Sequence, residues 1–148
     1  MAAFRFTLQA ALNYREHVLE LRRGMLAAVQ AQINKVAEER SGVERFRERQ
    51  IDELRGFVTT GAVEIDRAAA RRYHAAVLTG ELFRLDRHRD LLEQQREAVR
   101  RAVVKADQDV KVLEKLREKQ KQDWTAKTIA REDREREDQW QAAHRTAS

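Results

Sequence analysis

The sequence contains no proline and no cysteine, has only five glycines, and draws 6% of its 148 residues from the aromatic types. Each shortage excludes a class of protein. Loop-rich folds need Pro and Gly to punctuate their turns, so a Pro-free chain of this length predicts long uninterrupted helices. Without Cys there is neither a disulfide scaffold nor a thiolate metal site. The mean hydropathy of -0.77 and the lack of a long apolar run argue against a membrane span. Residues Met1–Thr7 lack the apolar stretch of a signal peptide, so the expectation is a soluble, cytoplasmic protein.

Charge, by contrast, is abundant. Asp, Glu, Lys and Arg make up 37% of the chain, and 30 Lys+Arg against 25 Asp+Glu leave a net charge of +5. That much charge leaves too little apolar surface to enclose a compact core, which favours one elongated domain over residues 1–148. The two signs are interleaved throughout, the pattern of solvated helix faces rather than a nucleic-acid footprint. The densest basic stretch, Lys111 to Lys121, has five Lys/Arg against Glu114 and Glu118, with Trp124 the lone aromatic nearby. Nucleic-acid binding is therefore disfavoured, because bases would find little to stack on.

Periodicity supplies the architecture. Leu12, Leu19, Leu26 and Ile33 recur every seven residues, with Leu8, Val29, Val36 and Val43 at the companion positions. Arg15, Arg22, Arg40, Arg47 and Gln50 interrupt this stripe before Leu54 and Phe57 resume it, predicting one helix over about 4–58, roughly 80 Å long. Thr59-Thr60-Gly61-Ala62 is the strongest break, since Gly permits a left-handed exit and Thr can cap a new start. Leu78, Leu85, Leu92, Val99, Ala106 and Leu113 then carry a second stripe, with Leu82, Val103, Val110 and Trp124 at the companion positions, predicting a helix over about 63–143. Two heptad helices joined by a short turn make an all-α antiparallel coiled-coil hairpin. A fold-back near residue 60 puts Val43 opposite Leu78 and exhausts the pairing near residue 118, leaving a C-terminal overhang that includes the charge run AREDREREDQ.

No catalytic constellation is visible. The glycines at 24, 42, 56, 61 and 80 form no phosphate loop, and His17, His74, His88 and His144 lack metal-ligand spacing. Acidic pairs such as Glu38-Glu39 fall on heptad-patterned helix where nothing perturbs them. The expectation is a protein that is not an enzyme and carries no cofactor or metal. Arg15, Arg22, Arg89 and Arg96 on the seam are expected to snorkel past the apolar stripe, the alternative being that they mark where a partner's carboxylates approach. Phe46, Ile51, Tyr73, Val77 and Phe83 are apolar but out of register, and the fold-back puts Phe46, Tyr73 and Val77 close together. Either a local register shift tucks these side chains in, or they form a docking patch.

The opening FRFTLQAALNYREHVLE, the break at TTG, the stretch RRYHAAVLTGELFRLDRHRDLLEQQR and the C-terminal VLEKLREKQKQDW together resemble the FliJ family over nearly the whole chain. FliJ proteins are stalk components of the bacterial flagellar type III export apparatus. The resemblance implies a two-helix coiled coil that enters the pore of the ring-shaped export ATPase FliI. It also implies a link to the export-gate membrane protein FlhA, contact with export chaperones, and a place at the cytoplasmic face of the cell membrane without membrane insertion. Positions matching the family's contact surface are Val43, Phe46 and Gln50 on the first helix and Val77, Glu81, Arg84 and His88 on the second. Tyr73 joins them through the out-of-register patch. For the ATPase ring, Lys111, Lys115, Arg117 and Lys119 would meet acidic loops, with Trp124 or Trp140 as an anchor. A coiled-coil adaptor or chaperone escort, or the equivalent stalk of a virulence-type secretion system, is the alternative reading.

Overall fold

A computed structural model describes the backbone over residues 2–59 and 65–145, and the side chains over 2–57 and 65–145. Two helices account for nearly all of it: α1 (Gln9–Thr59, 51 residues) and α2 (Ile65–Arg145, 81 residues). They pack against each other as a helical hairpin, with no strand among the described residues. The expected turn over 59–62 lies, beyond Thr59, outside the described residues, as does the expected start at 63. Helix α2 closes at Arg145, two residues past expectation and within ordinary fraying. Asp66 in its first turn and His144 and Arg145 in its last complement the helix dipole.

The chain divides into two compact units, Met1–Leu21 with Val104–Ser148, and Arg22–Val103. In the first unit Phe6, Leu12, Leu19, Ala106 and Val110 are buried, with Leu12 at 1% exposure. In the second, Ile33, Val36, Leu85 and Leu92 form one buried cluster, with Val29 and Val43 packed against it. All the aliphatic members are heptad positions, so the seam read from the sequence is the core. Each fully buried Leu contributes about 1.5–3 kcal/mol relative to exposure, which is how so narrow a stripe can hold two helices together.

The first helix begins five residues later than expected. Residues 4–6 are not helical. Thr7 and Leu8 form the turn into α1, where the Gln9 N–H donates to the Phe6 carbonyl at 3.1 Å and the Leu12 N–H to the Leu8 carbonyl at 2.9 Å. Freed from helical spacing, Phe4 and Phe6 both find cover. Phe6 is buried, and the Phe4 ring lies 6.0 Å from that of Trp124. Extended chain advances about 3.3 Å per residue against 1.5 Å in a helix. The non-helical start can reach further along α2 than helix would, and Arg15 stands beside Asp109 where a fold-back at 60 implies about 106; together these bring pairing to Trp124 instead of ending near residue 118.

Candidate functional site

In the second unit, polar residues that interrupt the stripe bond across the seam. Arg40 Nε donates to Asp86 Oδ1 at 2.6 Å and Arg40 Nη1 to Glu44 Oε2 at 3.0 Å. The Asp86 carboxyl is held below its ordinary range, first by this hydrogen bond and then by the positive charge of Arg40. Arg47 Nε donates to Thr79 Oγ1 at 2.9 Å, and the Thr79 hydroxyl donates in turn to the Ala75 carbonyl. Arg71 Nη1 donates to Gln50 Oε1 at 3.0 Å, while its Nη2 lies 2.9 Å from Glu53 Oε2. Arg40–Asp86 and Arg47–Thr79 share one register, toward which the long Arg71 side chain reaches back to Gln50. Residue 47 stands beside 79 where a fold-back at 60 implies 74, a displacement of somewhat more than one helical turn.

The other seam arginines keep part of their side chains in solvent, and each meets a specific partner. Arg15 approaches Asp109 at 3.5 Å and Arg96 Nη1 donates to Gln30 Oε1 at 3.2 Å, both across the seam. Arg89 lies 3.6 Å from Asp86 and 4.0 Å from Glu93 on its own helix, and Arg22 contacts the Met25 sulfur. A guanidinium at the edge of an apolar stripe offers five donors, so carboxylate and amide oxygens within reach capture it.

The register separates the expected hairpin-end patch into distinct roles. Gln50 is 5% exposed, and its amide oxygen is taken by Arg71, so it is a seam residue rather than a surface one. Val43 is half-buried, and Phe46, 44% exposed, lines a depression of about 370 Å³ with Val43, Leu78, Glu81 and Leu85. Tyr73 and Val77 lie outside that depression and are exposed. The Arg47–Thr79 contact puts residue 46 level with about 80 on α2. Arg84 and His88 are exposed on α2, where Glu81 pairs with Arg84 and is thereby held below its ordinary range.

A second depression, of about 690 Å³, runs along α2 and is lined by Gly80, Phe83, Arg84, Arg87, His88 and Leu91. Phe83 and Leu91 are 69% and 62% exposed. A side chain at Gly80 would meet nothing within 4 Å, so the glycine leaves the helix backbone bare between the flanking side chains. Phe83 is legible as an out-of-register aromatic. Leu91 is not, because it sits beside the seam residue Leu92 and reads as part of the stripe.

In the first unit, Lys111, Lys115, Arg117 and Lys119 are exposed. Lys111 pairs with Asp107 at 2.8 Å, and that contact raises its pKa. Trp124 is half-buried against Phe4, whereas Trp140 is 62% exposed and stacks on His144 at 3.9 Å between centroids. From Ile129 to Arg145 every side chain but Glu132 is exposed. This stretch is held by its own turns, including Arg136 with Asp133 at 3.4 Å and His144 Nδ1 near the Trp140 carbonyl.

Among the described residues, no group of three acidic or histidine side chains is arranged to hold a metal ion, and no helix is long and apolar enough to cross a membrane. Comparison with models of protein families, with curated proteins and with solved structures returns no match.

Proposed function

We propose that this chain is a non-enzymatic stalk of the FliJ type, seated in the pore of a flagellar export ATPase ring and linking it to the export gate. The single observation that carries the reading is the run from Ile129 to Arg145, a solvated helix projecting from a paired hairpin segment. An isolated helix with both charge signs on its surface is marginal alone and suits a pore whose subunits each make shallow contacts. Lys115 and Lys119, one turn apart, and Arg117 on the other side of α2 are exposed just before this run, where acidic loops surrounding the helix could meet them. Trp140 is the apolar anchor in this assignment, since Trp124 is already engaged by Phe4. The export-gate contact falls to Phe46, Val77, Arg84 and His88, and the protein works at the cytoplasmic face of the membrane.

The test is ATP hydrolysis by the cognate export ATPase with and without this chain. Stimulation that is lost on truncation after Thr128 supports the stalk; equal rates at saturating protein overturn it. A second reading, a coiled-coil adaptor or chaperone escort, is favoured by the depression beside Gly80, where the exposed apolar side chains Phe83 and Leu91 offer contacts to a partner helix. Binding of an export chaperone that is abolished by Phe83→Ala, with no effect on the ATPase, would select it.

A further inference from the structure

We infer that the end of the second unit carrying Gln50 and Arg71 is a polar latch, opening separately while the Ile33–Val36–Leu85–Leu92 cluster stays packed. Burial is divided unevenly along this unit. The cluster supplies four buried aliphatic side chains within Val29–Val43 and Leu85–Leu92. Over residues 44–57 and 65–84, by contrast, Gln50 is the one buried residue among those described. Leu54, Phe57, Leu78 and Leu82, which continue the stripe there, are half-buried.

Polar contacts hold this end instead. Gln50 and Glu53 both engage Arg71, and Arg47 engages Thr79, with Arg40 and Asp86 marking the border of the apolar cluster. The Arg71 and Glu53 side chains are 39% and 49% exposed, so water competes directly for their contact. A part-exposed ion pair contributes little and is weakened by salt, whereas apolar burial is not screened. Local opening free energies follow such differences in burial, and segments with few buried apolar contacts open first.

The latch also separates register from stability. Arg47 to Thr79 and Arg71 to Gln50 are directional bonds that a slipped pairing would break, which is how a buried polar residue specifies alignment in a coiled coil at a cost in stability. On opening, the half-buried apolar residues Leu54, Phe57 and Leu78 are uncovered together. The device is thus a pair of helix segments that can part and rejoin in one alignment.

Hydrogen exchange by mass spectrometry on the intact chain tests the latch in 0.05 M and 1 M NaCl. Amides of 47–57 and 68–79 are expected to exchange about tenfold faster than those of 29–36 and 85–92. In 1 M salt the ratio should widen by a further factor of about three as the Arg71–Glu53 pair is screened. In the variant Arg47→Leu with Gln50→Leu, which replaces directional bonds by seam leucines, the ratio should fall toward one. The Thr79 hydroxyl keeps its Ala75 partner and Arg71 keeps Glu53 in that variant. Equal protection of the two sets, or a difference that salt leaves unchanged, overturns the latch whether or not the variant folds. A folded variant that retains the full difference overturns it as well.

Discussion

The ring of Phe4 lies against that of Trp124, with centroids 6.0 Å apart and planes inclined at 54°. The pair joins the non-helical N-terminal segment to α2 beyond the point where helix-against-helix pairing would stop. A tilted aromatic contact contributes about 0.5–1.5 kcal/mol beyond the area it buries. Replacing Phe4 by Ala should lower the stability of the first unit by about 1–3 kcal/mol. In a Trp140→Phe background, Trp124 emission should shift to the red as its ring becomes wetter. An unchanged spectrum would show that Phe4 does not cover Trp124 in solution.

Leu12 and Leu85 are the most completely buried side chains, one in each unit. Truncating a buried leucine removes its transfer free energy and leaves a cavity, so Leu12→Ala and Leu85→Ala should each cost about 2–5 kcal/mol. Urea titrations followed by circular dichroism measure this directly. Leu91→Ala, at a 62% exposed neighbouring position, should change the midpoint little. A loss at Leu91 equal to that at Leu85 would place the seam on the wrong face of α2.

Acid should weaken the second unit first through Asp86. The hydrogen bond from Arg40, then its charge, holds this carboxyl below its ordinary value of 3.8 in the folded chain. A depressed folded-state pKa contributes stability that is fully present above the unfolded value and is lost as pH falls through the folded one. Wild type should therefore lose stability below about pH 4, where Glu81 and Glu97, also lowered by their arginine partners, act in the same sense. Asp86→Asn should be less stable at pH 7 and show a shallower acid dependence. Parallel curves for the two proteins would mean that the Arg40 contact is not formed.

The glycines at 24 and 80 lie in helix, and an added Cβ at either meets nothing within 4 Å. Alanine in a helix interior is favoured over glycine by about 0.5–1 kcal/mol. Both Gly24→Ala and Gly80→Ala should raise the thermal midpoint. If the groove beside Phe83 docks a partner helix, Gly80→Ala alone should also weaken that binding.

The heptad stripe made the hairpin legible because its signal is carried by large aliphatic residues at a fixed spacing, and Leu12, Leu19, Ile33, Leu85 and Leu92 are buried accordingly. Register was harder to read. It is fixed by Arg40–Asp86 and Arg47–Thr79, contacts between residues that look like interruptions when each stripe is read alone. Gln50 misleads for the same reason, since a polar residue at a heptad position reads as exposed until Arg71 is known to stand beside it. The N-terminal segment misleads differently. Phe4 and Phe6 are compatible with a helix start, and the non-helical form becomes evident only with Phe6 buried and Phe4 beside Trp124.

Truncation after Thr128 separates the stalk's proposed function from its folding. Residues 129–145 bury almost nothing, so their removal takes away exposed helix and leaves Phe6, Leu12, Leu19, Ala106 and Val110 in place. Surface changes of this kind usually move stability by no more than about 0.5 kcal/mol, so urea unfolding of the truncated chain should retain its midpoint. Helical signal should fall only in proportion to the residues removed. Stimulation of the export ATPase, in contrast, should disappear, and Trp140→Ala should reduce it without altering the fold. A truncated chain that stimulates hydrolysis as well as the full one would move the ring contact elsewhere. The triple reversal of Lys115, Arg117 and Lys119 to Glu is the measurement that would then decide whether these basic side chains alone meet the ring.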